Sequence, residues 1–173
     1  MPSVVVATDS THYLPRALAD REGIHQVSLY VHWNDDTQRD IEIVDLDAYY
    51  ERLRTSAELP TTSQPSIGDF LEVYEPILEA GDDIVSVHLA GGMSGTVHSA
   101  EQARERLGSR ADRVPVIDSE SACGGEGLVV LAAAAAARAG VDASAVAERT
   151  RRARAQLKLW FAIDTLEYLR RGG

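Results

Sequence analysis

Hydrophobic residues follow two different spacings along the chain, and these spacings predict strands and helices in alternation. Apolar runs, several of them rich in β-branched residues, predict strands over residues 4–7, 27–31, 84–89, 114–117 and 159–163. Apolar stripes at helical spacing, alanine content and capping residues predict helices over residues 46–53, 67–78, 96–107, 123–138 and 142–157. The polar residues 33–39 are predicted to form a loop, and residues 60–65 an irregular link.

The repeated order of strand, polar turn and helix predicts an α/β fold. Parallel strands joined by helical crossovers require helices on the sheet, so we expect a mostly parallel sheet with helices on both faces. A chain of 173 residues can bury enough surface for one core, and residues 1–173 are therefore predicted to form a single domain.

Composition and charge narrow the classes of partner. The hydrophobic fraction of 45% and the charged fraction of 25% are typical of a soluble globular protein. The formal net charge of −10 disfavours binding to nucleic acid. The most apolar segment, residues 128–137, is about half the length that spans a bilayer, so stable membrane insertion is not expected. The single cysteine and the absence of a secretory signal favour the cytoplasm.

Basic residues crowd the end of the chain despite the acidic total. They are Arg149, Arg151, Arg152, Arg154, Lys158, Arg170 and Arg171. A solvated helix face is the favoured interpretation of this cluster. The alternative is a docking patch for an acidic partner, for which Arg170 and Arg171 are the candidates.

Four segments rich in hydroxyl groups follow strands or precede helices, at residues 8–11, 61–63, 94–96 and 118–121. In an open α/β sheet, ligands bind beyond the carboxyl ends of the strands, so these segments predict one shared site. For each segment taken alone, helix capping is the favoured explanation. Together they offer hydroxyl donors and helix-start amides, and glycines around Ser94 permit close approach of a ligand. We therefore expect the ligand to carry an anionic head.

Common catalytic and cofactor signatures are absent. Residues 92–96 differ from the nucleophile elbow of serine hydrolases because the fifth residue is Thr96. The glycine-rich segments lack the lysine of a phosphate-binding loop, and the five histidines show no metal-ligand spacing. No metal or cofactor is expected. One alternative stays open, a small enzyme that acts on a carboxylated or phosphorylated metabolite with Ser94 or Asp118 as nucleophile.

Five motifs in this order resemble the motif series of the DegV family. They are residues 8–11 (TDST), 62–66 (TSQPS), 93–96 (MSGT), 116–119 (VIDS) and 164–173 (DTLEYLRRGG). The resemblance runs from about residue 4 to the end of the chain. It implies a DegV amino-terminal domain, with the second α/β domain of the family absent from this chain. An alternative for the end of the chain is that residues 159–173 begin that second domain.

The resemblance also implies a function. DegV-family proteins enclose a fatty acid between two domains, and some present it to a fatty-acid kinase, so the expected ligand is a long-chain fatty acid such as palmitate and the expected role is lipid metabolism without catalysis. By this resemblance Thr62 and Ser94 hydrogen-bond the fatty-acid carboxylate. Further residues are expected near the same oxygens or around the same mouth, namely Ser63, Gly95, Thr96, Asp9, Ser10, Asp118 and Ser119.

Overall fold

A computed structural model describes residues 2–172 of the chain. The strands are β1 Val4–Asp9, β2 Ile24–Val27, β3 Tyr30–Trp33, β4 Asp36–Arg39, β5 Thr61–Ser63, β6 Asp83–His88 and β7 Val116–Asp118. The helices are α1 Arg16–Arg21, α2 Leu46–Thr55, α3 Ile67–Glu79, α4 Thr96–Arg106, α5 Cys123–Arg138, α6 Ala143–Gln156 and α7 Glu167–Gly172. The last residue of the terminal motif, Gly173, lies outside the described residues.

The main sheet is parallel, in the order β2-β1-β6-β7. Successive side chains of a strand point to opposite faces, and both faces of this sheet are covered. On one face Val6 and Val85 pack with α5 and α6, and on the other Ala7 and Ile84 pack with α3 and α4. The prediction of a mostly parallel sheet with helices on both faces is confirmed.

A second, antiparallel sheet has the order β4-β3-β5 and was not predicted. The predicted strand over residues 27–31 is wrong, because the chain breaks into β2 and β3, which belong to different sheets. Serine hydroxyls serve backbone groups at the break. The Ser28 hydroxyl accepts from the Ile41 amide, and Ser10 Oγ accepts from the Leu29 amide. These amides therefore keep hydrogen-bond partners at the break, so the chain can change sheets without leaving them unsatisfied.

The loop prediction for residues 33–39 is also wrong, because β4 pairs with β3 from Trp33 opposite Asp36. Asn34 takes a left-handed backbone conformation in the intervening turn, with a φ of 58°, which asparagine tolerates better than most residues. Within the predicted link at residues 60–65, β5 pairs with β3 and completes the small sheet.

The predicted strand over residues 159–163 is wrong as well, since the described chain has no regular structure there and no neighbouring strand pairs with it. Trp160 is 90% exposed and Phe161 78% exposed. Helix α7 follows, and its Arg171 guanidinium donates to the carbonyls of Ser56 (3.2 Å) and Ala57 (2.9 Å). None of the described helices is long and apolar enough to cross a membrane.

Candidate functional site

A cavity of about 410 Å³ lies between the carboxyl end of the main sheet and the small sheet. It is lined by Thr11, Tyr13, Leu29, Val31, Asp40, Thr62, Gln64, Leu89, Met93, Ser94 and Gly95. We call this the head-group cavity. It brings together Thr62 and Ser94, the two residues expected to hold a carboxylate, and adds apolar side chains beside them.

The small sheet positions Thr62. Strand β5 places Thr62 opposite Val31, and both residues line the head-group cavity. Because side chains alternate along a strand, Ser63 faces the other way. Its hydroxyl oxygen lies 2.8 Å from His32 Nε2, and Ser63 does not line the cavity. Thr62 is exposed and therefore free to meet a ligand.

The loop between β6 and α4 positions Ser94. The Ser94 hydroxyl oxygen lies 2.9 Å from the Thr96 hydroxyl oxygen and accepts from the Thr96 amide at 3.3 Å. Thr96 is fully buried and holds Ser94 without lining the cavity itself. Gly95 does line it, and a β-carbon there would lie 2.9 Å from Gln64 Nε2. Glycine at this position therefore lets the Gln64 amide lie close to the backbone of Gly95, next to Ser94 in the chain.

Asp118 and Ser119 support the neighbouring loops and do not line the head-group cavity. Asp118 accepts from the Gly91 amide at 3.1 Å and from the Glu120 amide at 2.7 Å. Ser119 is buried, and its hydroxyl donates to the Ser121 carbonyl at 3.2 Å. Their backbone contacts fix the loop that leads to Ser94.

Asp9 and Ser10 lie behind the cavity wall. Asp9 is fully buried and accepts from the Thr11 hydroxyl (2.6 Å), the Thr11 amide (3.0 Å) and the Leu89 amide (3.0 Å), with His88 Nδ1 at 3.1 Å. Burial alone would raise the pKa of Asp9, but the hydrogen bonds and the charge of His88 lower it below its usual value. Ser10 binds the Leu29 amide and does not line the head-group cavity.

Glu126, on α5, is a buried acid that the sequence analysis did not identify. Its carboxyl oxygens lie 2.7 Å from the Thr11 hydroxyl and 3.3 Å from the Thr8 hydroxyl. The single hydroxyl hydrogen of Thr11 cannot serve Asp9 and Glu126 at once, so one carboxyl must carry a proton. Asp9 already accepts from amides, which leaves the proton on Glu126. Burial, assisted by the Asp9 charge, raises the pKa of Glu126 to about 9.

Asp40 and Tyr13 are the ionisable residues among the described lining of the head-group cavity, and no basic residue lines it. Burial is the main cause that raises the pKa of Asp40, and Asp9 adds to the effect. The Ser94 hydroxyl has the Thr96 hydroxyl and amide as its hydrogen-bond partners within residues 2–172, so no base contacts this hydroxyl there. The same residues contain no cluster of histidine, cysteine or acidic side chains that could hold a metal ion.

Comparison with known proteins relates the chain to one family along almost its whole length. A family model described as "Uncharacterised protein, DegV family" matches residues 3–173. Protein DegV of Bacillus subtilis is 33% identical over 174 residues, which cover 99% of this chain and 60% of that protein.

Two solved structures share the fold. One, described as fatty acid binding of a DegV family protein from Thermus thermophilus, matches with a TM-score of 0.88 and 38% identity, covering 98% of this chain and 60% of that one. The other, DegV, a fatty acid binding protein from Bacillus subtilis, matches with a TM-score of 0.88 and 33% identity, covering 100% of this chain and 61% of that one. The chain thus spans about 60% of the length of these relatives.

Proposed function

Because this chain belongs to the DegV family, we propose that it binds a long-chain fatty acid such as palmitate non-covalently, with the carboxyl group at Thr62 and Ser94. The observation that carries the proposal is that both hydroxyl residues, distant in sequence, line one cavity. Relatives at 33% and 38% identity, described as fatty-acid binding, support the choice of ligand class.

The polar part of the cavity suits a carboxyl group. Removing a carboxyl group from water is costly unless its oxygens keep hydrogen bonds. The hydroxyls of Thr62 and Ser94 and the side-chain amide of Gln64 all border the head-group cavity and can supply them. Gly95 adds no side chain to this border, which leaves room for the head.

The apolar part of the cavity suits the start of an acyl chain. Leu29, Val31, Leu89 and Met93 lie on the same lining as Thr62. Each buried methylene contributes about 0.8 kcal/mol, so an acyl chain with about fourteen of them offers on the order of 11 kcal/mol before ordering costs are subtracted. Affinity would therefore come mainly from the tail, and the placement of the ligand from the head.

The proposed role is that of a carrier in lipid metabolism rather than a catalyst. It would present the bound carboxyl group to a fatty-acid kinase in the cytoplasm, where the exposed and unpaired Cys123 would stay reduced. Arg170 is the better candidate to contact such a kinase. Its neighbour Arg171 already donates to two backbone carbonyls and lies 3.5 Å from Glu167.

The test combines lipid analysis with direct binding. The chain purified from cells should carry an acyl chain detectable by mass spectrometry of the native protein. Thr62→Ala should weaken palmitate binding about ten- to hundredfold, since a hydrogen bond to a charged group contributes about 1.5–3 kcal/mol. Thr61→Ala is the matched control, because Thr61 is the adjacent exposed threonine of β5 and does not line the head-group cavity.

The outcomes separate the proposal from its alternatives. Equal affinities of the two variants would exclude Thr62 from the head-group site. A native protein without lipid that also fails to bind added palmitate would contradict the proposed function itself.

A further inference from the structure

The charges around the head-group cavity do not match an anionic ligand. Asp40 is half-buried and lines the cavity with Thr62 and Ser94, and no basic residue lines it within residues 2–172. No ion pair to Asp40 is formed in this part of the chain. A fatty-acid carboxylate bound at Thr62 and Ser94 would therefore share the cavity with a second carboxyl group. Arg171 borders a separate cavity that also contains Thr62, but its guanidinium already donates to two backbone carbonyls and pairs with Glu167.

The backbone holds Asp40 in place at this wall. Its amide donates to the Leu29 carbonyl at 2.9 Å, which ties the residue to the segment between the two sheets. Retreat of the carboxylate from the ligand would therefore require a change in the link between β4 and the main sheet. A shared proton removes the repulsion without such a change, because two carboxyl groups in one site can hold one proton between them.

We propose that Asp40 is a ligand-binding residue whose carboxyl group shares one proton with the fatty-acid head, so that binding takes up one proton. The inference rests on the proposed function. It also assigns specificity, because two carboxyl groups of similar basicity hold a shared proton strongly. An alkyl sulfate is a far weaker base, so the proton stays on Asp40 and the sulfate accepts only a weak hydrogen bond from it. The site would therefore select carboxylic acids over equally long alkyl sulfates.

The groups that face Asp40 do not supply the missing positive charge. Burial is the main cause that favours the neutral form of Asp40. A hydrogen bond from Ser10 opposes it, and the acidic Asp9 behind Asp40 adds to the effect of burial. Burial is the main cause that raises the pKa of Tyr13 and of Tyr49, and the charge of the nearby Asp40 adds to it in both. An adjoining cavity of about 410 Å³ shares Asp40 and also contains His12, Tyr13, Arg16, Asp20 and His25. Arg16, the arginine among them, lines this adjoining cavity and not the head-group cavity, and Arg16 and Asp40 form no ion pair.

Calorimetry tests the inference directly. Palmitate is titrated into the 173-residue chain between pH 7.0 and 8.5 in pairs of buffers with different ionisation enthalpies, which gives the number of protons exchanged. The wild type should take up about one proton per palmitate, and its affinity should fall about tenfold per pH unit where free Asp40 is ionised. Asp40→Asn should take up none and should bind palmitate with nearly constant affinity.

Two further measurements separate the role of Asp40 from that of Thr62 and test the selectivity for carboxylic acids. Thr62→Ala should bind more weakly yet still take up the proton. Hexadecyl sulfate should bind the wild type at least tenfold more weakly than palmitate, and Asp40→Asn should narrow that gap. Palmitate binding without proton uptake by the wild type, or equal uptake by Asp40→Asn, would overturn the role of Asp40 alone. Failure of the wild type to bind palmitate at all would instead remove the proposed function and this inference with it.

Discussion

Replacing Glu126 by glutamine tests the buried network behind the head-group cavity. Glutamine keeps the size of the side chain and can still donate to Thr11 and accept from Thr8, as the protonated acid does. It removes only the titration. The variant should therefore fold normally, and any change in its stability should depend on pH.

The size of the effect follows from the shifted pKa. Burial and the Asp9 charge raise the pKa of Glu126 to about 9 in the folded protein, against 4.5 for an ordinary glutamate. Between these values the folded chain holds a proton that the unfolded chain has lost, so the wild type loses stability as the pH rises. Each pH unit in this range changes the stability by about 1.36 kcal/mol. The free energy of unfolding of Glu126→Gln, taken relative to that of the wild type, should therefore rise by up to about 4 kcal/mol from pH 5 to pH 8.

Denaturant unfolding at pH 5, 6, 7 and 8 provides the assay, since the difference between the two proteins cancels the other titrating groups. Glu126→Ala is the control for packing. It leaves the Thr8 and Thr11 hydroxyls without this partner and should lose about 2–4 kcal/mol at pH 5. Parallel stability curves for the wild type and Glu126→Gln would show that Glu126 is ionised when folded, and would refute the assignment of the proton.

Three other variants test separate contacts. Thr96→Ala should weaken palmitate binding about tenfold because it frees the Ser94 hydroxyl, whereas Thr96→Ser should restore binding; equal affinity of both variants in calorimetry would contradict this role. Gly95→Ala should weaken binding several-fold with little effect on denaturant stability, since its β-carbon displaces the Gln64 amide; unchanged binding would refute this. Phe70→Ala should cost about 3–5 kcal/mol of unfolding free energy in urea, and a loss below 1 kcal/mol would contradict its core position.

Local sequence patterns were sufficient to predict three of the four strands of the main sheet, β1, β6 and β7, and the helices that cover its faces, but not β2. The run at residues 4–7 became β1, and the stripe at residues 67–78 became α3, whose start is fixed by reciprocal hydrogen bonds between Ser66 and Asp69. These elements bury apolar faces whose period is visible in the sequence. The small sheet could not be predicted in this way. Its strands have three or four residues, and β5 pairs with β3 across a long stretch of intervening chain.

The residues of the candidate site likewise divide into those that sequence motifs identified and those that only the folded structure reveals. Thr62 and Ser94 were named through the family motifs, and they line one cavity. Asp40 was not anticipated because it follows a strand that was predicted as a loop. Glu126 lies in a glycine-rich segment where its sequence neighbours give no sign of burial, and its partners Thr8 and Thr11 belong to a distant part of the chain. Contacts made only after folding cannot be inferred from spacing along the chain.

A crystal structure of the chain with bound palmitate tests the head-group assignment most directly. Electron density for the carboxyl group is expected within hydrogen-bond distance of Thr62 Oγ1 and Ser94 Oγ, with the acyl chain leaving along Leu29, Val31 and Leu89. Density for the carboxyl group in the adjoining cavity beside Arg16, or in solvent with the tail against Thr62 and Ser94, would contradict it.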